Sequence, residues 1–198
     1  MMELSGPSHP PLSDGKAKQL IVLLHGYGSN GDDLISLAPF FAQALPDAEF
    51  LSPNAPFPCE IAPFGFQWFG FEDRTPEMLL GGARPAAEIL DKFLDAELAK
   101  RGLTDRDLAL VGFSQGTMMS LHVGPRRPNR IGGILGFSGS LIAPNLLASE
   151  LKSKPPVLLI HGTADQVVPY GALAQAEKAL KEAGVPIETE SRPGLPHS

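Results

Sequence analysis

The sequence predicts an α/β fold, a mostly parallel central sheet flanked by helices, on three observations. Short aliphatic runs alternate with longer amphipathic stretches, the order in which a parallel sheet with crossover helices is built. Four of those runs are continuous or nearly so, as suits strands buried on both faces. One of them, Leu108-Ala109-Leu110-Val111, leads directly into Gly112-Phe113-Ser114-Gln115-Gly116 and then a helical stretch. A strand feeding Gly-x-Ser-x-Gly is how an α/β-hydrolase presents a nucleophilic serine.

The elements follow in order. Residues 1–18 are polar and proline-bearing and are expected to form a tail, with a single domain over 19–198. Strands are predicted at 19–24, 49–51, 107–111, 133–137, 157–160 and 187–191, and helices at 33–44, 84–101, 115–123 and 171–183. In the second helix Ala86, Ile89, Leu90, Phe93, Leu94 and Leu98 recur at helical spacing and make one apolar face. Pro85 suits its first turn and Gly102 its end. Gly124-Pro125 should stop the helix after Ser114.

A chain of 198 residues is long enough for one domain with a sizeable core. Its formal charge of −6 and lack of a basic stripe argue against a nucleic-acid partner. The one local basic cluster, Arg126, Arg127 and Arg130, is expected to be a solvated helix exit. A lone cysteine, Cys59, leaves no internal disulfide and no multi-cysteine zinc site, and no cation lies near it in the sequence. No run is apolar enough for a signal peptide or a bilayer span, so a cytoplasmic location is expected.

An alcohol is a weak nucleophile and needs a base, so Ser114 must be served by a histidine. In α/β-hydrolases the acid and then the histidine follow the serine, each on a loop after a later strand. Asp165 lies just past the strand at 157–160 and His197 just past that at 187–191. All three therefore fall at the carboxyl edge of the sheet, where catalytic loops gather. The remaining histidines suit other duties: His122 packs or faces solvent, His9 lies in the tail, and His161 ends a buried strand as a hydrogen-bonded structural residue. Asp105 and Asp107 suit a turn and a cap. Charge on the tetrahedral intermediate needs N–H donors. Gln115 N–H, next to the nucleophile, is one. Tyr27 N–H, in the loop Leu24-His25-Gly26-Tyr27-Gly28, is the other, with His25 holding that loop.

Five segments together resemble the phospholipase/carboxylesterase family of serine hydrolases, which includes the acyl-protein thioesterases. They are Leu24–Gly28, Gly112–Gly116, Gly136-Phe137-Ser138-Gly139, His161-Gly162-Thr163-Ala164-Asp165-Gln166-Val167-Val168-Pro169 and Gly194-Leu195-Pro196-His197-Ser198. The resemblance implies the triad Ser114, Asp165 and His197, oxyanion donors Tyr27 and Gln115, and hydrolysis of carboxylic esters or thioesters without cofactor or metal. It also implies a last helix beyond the histidine, missing from these 198 residues.

Residues 57–71 are the densest aromatic segment, with six of the chain's fourteen aromatic residues, but are broken by proline and glycine, so a loop is expected there. Phe64, Trp68 and Phe69, with Met78, are candidates to line an acyl groove; the competing assignment is ordinary core. The expected partner is a small-molecule ester or thioester, with no stable membrane insertion and a homodimer as an option. The triad does not itself choose between ester and amide, which leaves a peptidase on the same fold open. A hydrolase-like binding protein with the apolar loop as its partner surface is the other alternative.

Overall fold

The computed structural model describes residues 3–71 and 74–198; the first two residues of the expected tail lie outside these. In chain order the strands are β1 (Ser8–His9), β2 (Gln19–Leu24), β3 (Ala48–Leu51), β4 (Phe57–Pro58), β5 (Phe66–Gln67), β6 (Leu108–Phe113), β7 (Gly133–Phe137), β8 (Val157–Gly162) and β9 (Ile187–Arg192). The helices are α1 (Gly31–Ile35), α2 (Ala38–Ala44), α3 (Pro76–Arg101), α4 (Gln115–Val123), α5 (Pro144–Glu150) and α6 (Gly171–Glu182). Seven strands make one sheet in the order β1-β3-β2-β6-β7-β8-β9, and β4 and β5 form a separate hairpin. Every pairing in the large sheet is parallel except β1 with β3. This is an α/β-hydrolase architecture.

Alternation along the strands divides the core. Leu108, Leu110, Ile134, Val157 and Leu159 point to the face that packs with residues of α3, α4 and α6. Ile21, Leu23, Phe50 and Val111 point to the other, where Ala38 and Ala42 of α2 meet them. The parallel strands end together, so the loops after β2, β6, β8 and β9 emerge along one edge.

Four departures from the sequence expectation have local causes. The helix expected at 33–44 is two helices: Pro39, in the first turn of α2, lacks an N–H and would clash with the carbonyl four residues back, so the chain stops and restarts. Helix α3 begins at Pro76 rather than residue 84, which puts Pro85 inside it; it ends at Gly102, whose φ of 67° is the left-handed cap. The expected tail is laid on the domain: Ser8 and His9 pair with β3, and Leu4 is buried. Within 57–71, the ladder of β4 with β5 raises a hairpin whose tip carries Ile61 and Phe64 into solvent.

Of the arginine cluster expected to be solvated, Arg130 is exposed, but Arg126 and Arg127 are drawn into ion pairs. Arg127 is 3% exposed and its guanidinium meets three carboxylates: Asp95 at 2.7 Å, Asp105 and Asp91. Arg126 donates to Glu150 at 2.7 Å. The sequence spacing hid this because Asp91 and Asp95 reach Arg127 from α3, one turn apart on a single face. Arg127→Met leaves those carboxylates without their shared cation and is expected to destabilise the fold by about 3 kcal/mol. Urea unfolding checks this, and a change below about 0.5 kcal/mol, the size of a surface substitution, would contradict it.

Candidate active site

Ser114 sits between β6 and α4 with φ 53° and ψ −113°. A positive φ is costly for a residue with a Cβ, and it persists only where the surroundings enforce it. The enforcement is visible. Ser114 N–H donates to Phe137 O at 2.9 Å, and its own carbonyl accepts Met118 N–H at 3.1 Å, closing the first turn of α4. Thr117 Oγ1 lies 2.7 Å from Gly112 O and 2.8 Å from Phe137 O, pinning the helix to both strands. A Cβ on Gly116 would stand 1.8 Å from Leu24 O, so only glycine lets α4 dock there.

The histidine and acid loops are laced to each other. Thr163 N–H donates to Arg192 O at 3.0 Å, Ala164 N–H to Leu195 O at 3.1 Å, and Gly194 N–H to Thr163 Oγ1 at 2.9 Å. A Cβ on Gly162 would lie 2.1 Å from Leu195 O. The result brings three remote side chains together: His197 Nε2 is 3.0 Å from Ser114 Oγ, and His197 Nδ1 is 2.7 Å from Asp165 Oδ2. An ionised carboxylate only accepts, so Nδ1 carries the hydrogen and Nε2 offers a lone pair to the serine hydroxyl.

Asp165 is saturated with donors. Oδ1 accepts Val167 N–H and Val168 N–H, each at 2.9 Å. The buried His161 places Nε2 3.2 Å from Asp165 Oδ2 and 3.0 Å from Val168 O, both acceptors, so that nitrogen bears a hydrogen. Burial would raise the Asp165 carboxyl, but the hydrogen bonds from His197, Val168 and Val167 outweigh it and hold the group below its ordinary 3.8.

Beside Ser114 opens a cavity of about 490 Å³, walled by Tyr27, Ile61, Phe71, Phe113 and Val167 with His197 at its floor. Arg74 crosses one wall, its guanidinium 4.2 Å from the Phe71 ring centre and hydrogen-bonded to Val167 O at 3.2 Å. None of the four residues expected to line an acyl groove is on this wall. Trp68 and Phe69 are core, 0% and 2% exposed, because the chain leaving β5 turns both rings inward. Phe64 is 90% exposed at the hairpin tip, and Met78 faces solvent on α3. The walls instead come from Ile61 and Phe71, in the same aromatic segment, and from Val167 of the acid loop. No periodicity marks such loop residues in the sequence.

The loop after β2 is built around His25, which is fully buried. Its Nδ1–H donates to Gly26 O at 2.7 Å and its Nε2 accepts Ala55 N–H at 2.9 Å. Burial lowers its pKa, against the pull of the Gly26 bond and Asp33, so it stays neutral with both nitrogens used. Tyr27 follows, its ring 5.7 Å from that of Phe71. Burial, then the neighbouring Cys59 and Glu60, push its phenol up to about 12, which keeps it uncharged. Gly28 N–H and Ser29 O are tied to β5 through Phe66 at 2.9 and 2.8 Å. Among the described residues, neither Tyr27 N–H nor Gln115 N–H donates to a protein acceptor.

The model of the family described as phospholipase/carboxylesterase matches residues 12–198. Acyl-protein thioesterase 1 of Schizosaccharomyces pombe is 34% identical, over 81% of this chain and 74% of that protein. Esterase YpfH of Escherichia coli is 29% identical over 93% and 78% of the two chains. Among solved structures, that of esterase PE8 superposes with a TM-score of 0.95 at 45% identity, covering 99% of this chain and 92% of that one. Carboxylesterase SOBER1 of Arabidopsis thaliana gives a TM-score of 0.79 at 29% identity, covering 92% and 91%.

A carboxyl lowered by folding lends stability that is complete above its unfolded value and is lost as pH falls through the folded one. Asp165→Asn is therefore expected to cost most stability above about pH 4 and progressively less below it. Thermal melts of both proteins across that range check the trend; an equal cost at every pH would contradict it.

Proposed function

The chain belongs to the phospholipase/carboxylesterase family and is a carboxylic ester hydrolase, and we propose that it cleaves esters or thioesters through an acyl-enzyme on Ser114. The observation that carries this is the relay of contacts from Ser114 Oγ to His197 Nε2 at 3.0 Å and from His197 Nδ1 to Asp165 at 2.7 Å. As Ser114 Oγ attacks the acyl carbon, its proton passes to His197 Nε2. The imidazolium so formed lies against Asp165, whose depressed pKa keeps it anionic to receive that charge. The carbonyl oxygen becomes an oxyanion and docks on Tyr27 N–H and Gln115 N–H, at the positive end of α4. Donors of this kind are worth about 3 kcal/mol each in the transition state. His197 then hands its proton to the departing alcohol or thiol. Water, activated by the same nitrogen, attacks the acyl carbon and releases the acid and Ser114.

The apolar cavity walls favour an apolar acyl or alcohol group over a charged one. Similarity to an acyl-protein thioesterase supports extending the reaction to thioesters, whose leaving group needs less protonation.

Ser114→Ala is expected to lower kcat on p-nitrophenyl butyrate by at least about 10⁴-fold with an unchanged melt. Retained turnover would refute the nucleophile. On the p-nitrophenyl ester and the p-nitroanilide of one acyl group, the ester should dominate turnover; comparable anilide cleavage would identify a peptidase instead.

A further inference from the structure

The chain has a single tryptophan, Trp68, and its two N–H groups serve two different segments, the loop after β2 and the start of α4. Its indole Nε1–H donates to the carbonyl of His25 at 3.0 Å. Its backbone N–H donates to Gln115 Oε1 at 2.9 Å, and Gln115 Nε2 returns a bond to Phe69 O at 2.7 Å. Trp68 and Gln115 are both fully buried, and neither side chain reaches the cavity. Trp68 thus grips the loop that carries Tyr27 N–H on one side and the residue that carries Gln115 N–H on the other.

We propose that Trp68 is the positioning residue of the oxyanion hole, a strut that fixes the spacing between the Tyr27 and Gln115 N–H donors. The inference rests on the acyl-enzyme reading above and adds to it a residue that never meets substrate. Two backbone donors from separate loops act together only if held at about 3 Å from one oxygen position before it becomes charged. A misplacement of about 1 Å costs about a hundredfold in rate. The strut also has an electrical connection. Tyr27 N–H shares its peptide with Gly26 O, which accepts His25 Nδ1–H at 2.7 Å, and the His25 carbonyl in turn holds the indole. The His25 carbonyl that holds the indole lies one peptide before that of Tyr27 N–H, so charge arriving at Tyr27 N–H is felt at the indole bond through space across that short distance.

Trp68→Phe removes the indole bond while keeping an aromatic ring; Gln115→Met removes both side-chain bonds while keeping the backbone donor. The measurements are kcat and KM on p-nitrophenyl butyrate and the Ki of a phenylboronic acid, whose adduct on a serine puts an oxygen where the oxyanion forms. In each variant kcat is expected to fall at least about tenfold, the boronate Ki to weaken by the same factor, and KM to stay within about twofold. A folded variant with native kcat and Ki, or one that loses kcat without losing boronate affinity, overturns the strut. The unmutated protein supplies a test independent of folding: its one indole N–H resonance should shift when the boronate adduct forms, and not in Ser114→Ala. A silent indole in an enzyme that cleaves the ester and binds the boronate overturns the strut alone. Loss of both activities in the unmutated protein overturns the acyl-enzyme reading and the strut with it.

Discussion

Helix α4 rests its backbone on the end of β2, with no side chain between Gly116 and the carbonyl of Leu24. The rest of the site depends on that contact. It brings the start of α4 against the loop after β2, so that a Cβ on Gly26 would lie only 3.3 Å from the Cβ of Ser114. Beside it, Ser114 holds a positive φ that an unconstrained chain would avoid. A similar contact between Gly162 and the carbonyl of Leu195 joins the other two loops. Backbone against backbone leaves no rotamer to relax, so the geometry of three side chains is inherited from main-chain packing rather than chosen locally.

Buried charge is handled the same way at both ends of the molecule. At the carboxyl edge the Asp165 carboxylate is met by His197, His161 and two backbone N–H groups. Near the start of β6 the Arg127 guanidinium is met by three aspartates. Neither ion is left with an idle polar edge, which is the condition under which burying a charge is tolerated at all. The two differ in what the neighbours do. Around Arg127 two partners stand on α3 and the third just ahead of β6, all away from the reacting edge, whereas Asp165 keeps one partner, His197, whose ring faces the nucleophile.

Much of this was legible in the residues. The strands at 19–24 and 133–137 and the helix at 115–123 match the structure residue for residue, because their aliphatic runs and glycine stops leave little ambiguity. The meeting of Ser114, Asp165 and His197 could be expected from the Gly-x-Ser-x-Gly turn and from the acid and the histidine each following a later strand in the order α/β-hydrolases use. What escaped were features set by contacts between distant segments. The short pairing of Ser8 and His9 with β3 has no apolar signature. Trp68 and Phe69 look like groove residues until β4 and β5 pair and turn them inward. Arg127 reads as a surface charge until α3 brings its aspartates across.

The hairpin between β4 and β5 divides its labour along its length. Its base is bound to the loop after β2 through Phe66, while Ile61 and Phe64 at the tip project from the body of the protein, Ile61 forming part of the cavity wall. Variation concentrated at that tip can reshape which molecules enter without disturbing the parts that react with them. The enzyme is thereby evolvable where it meets its environment and conservative where it performs its chemistry, and a randomised library confined to the tip would sample new specificities on an intact chassis.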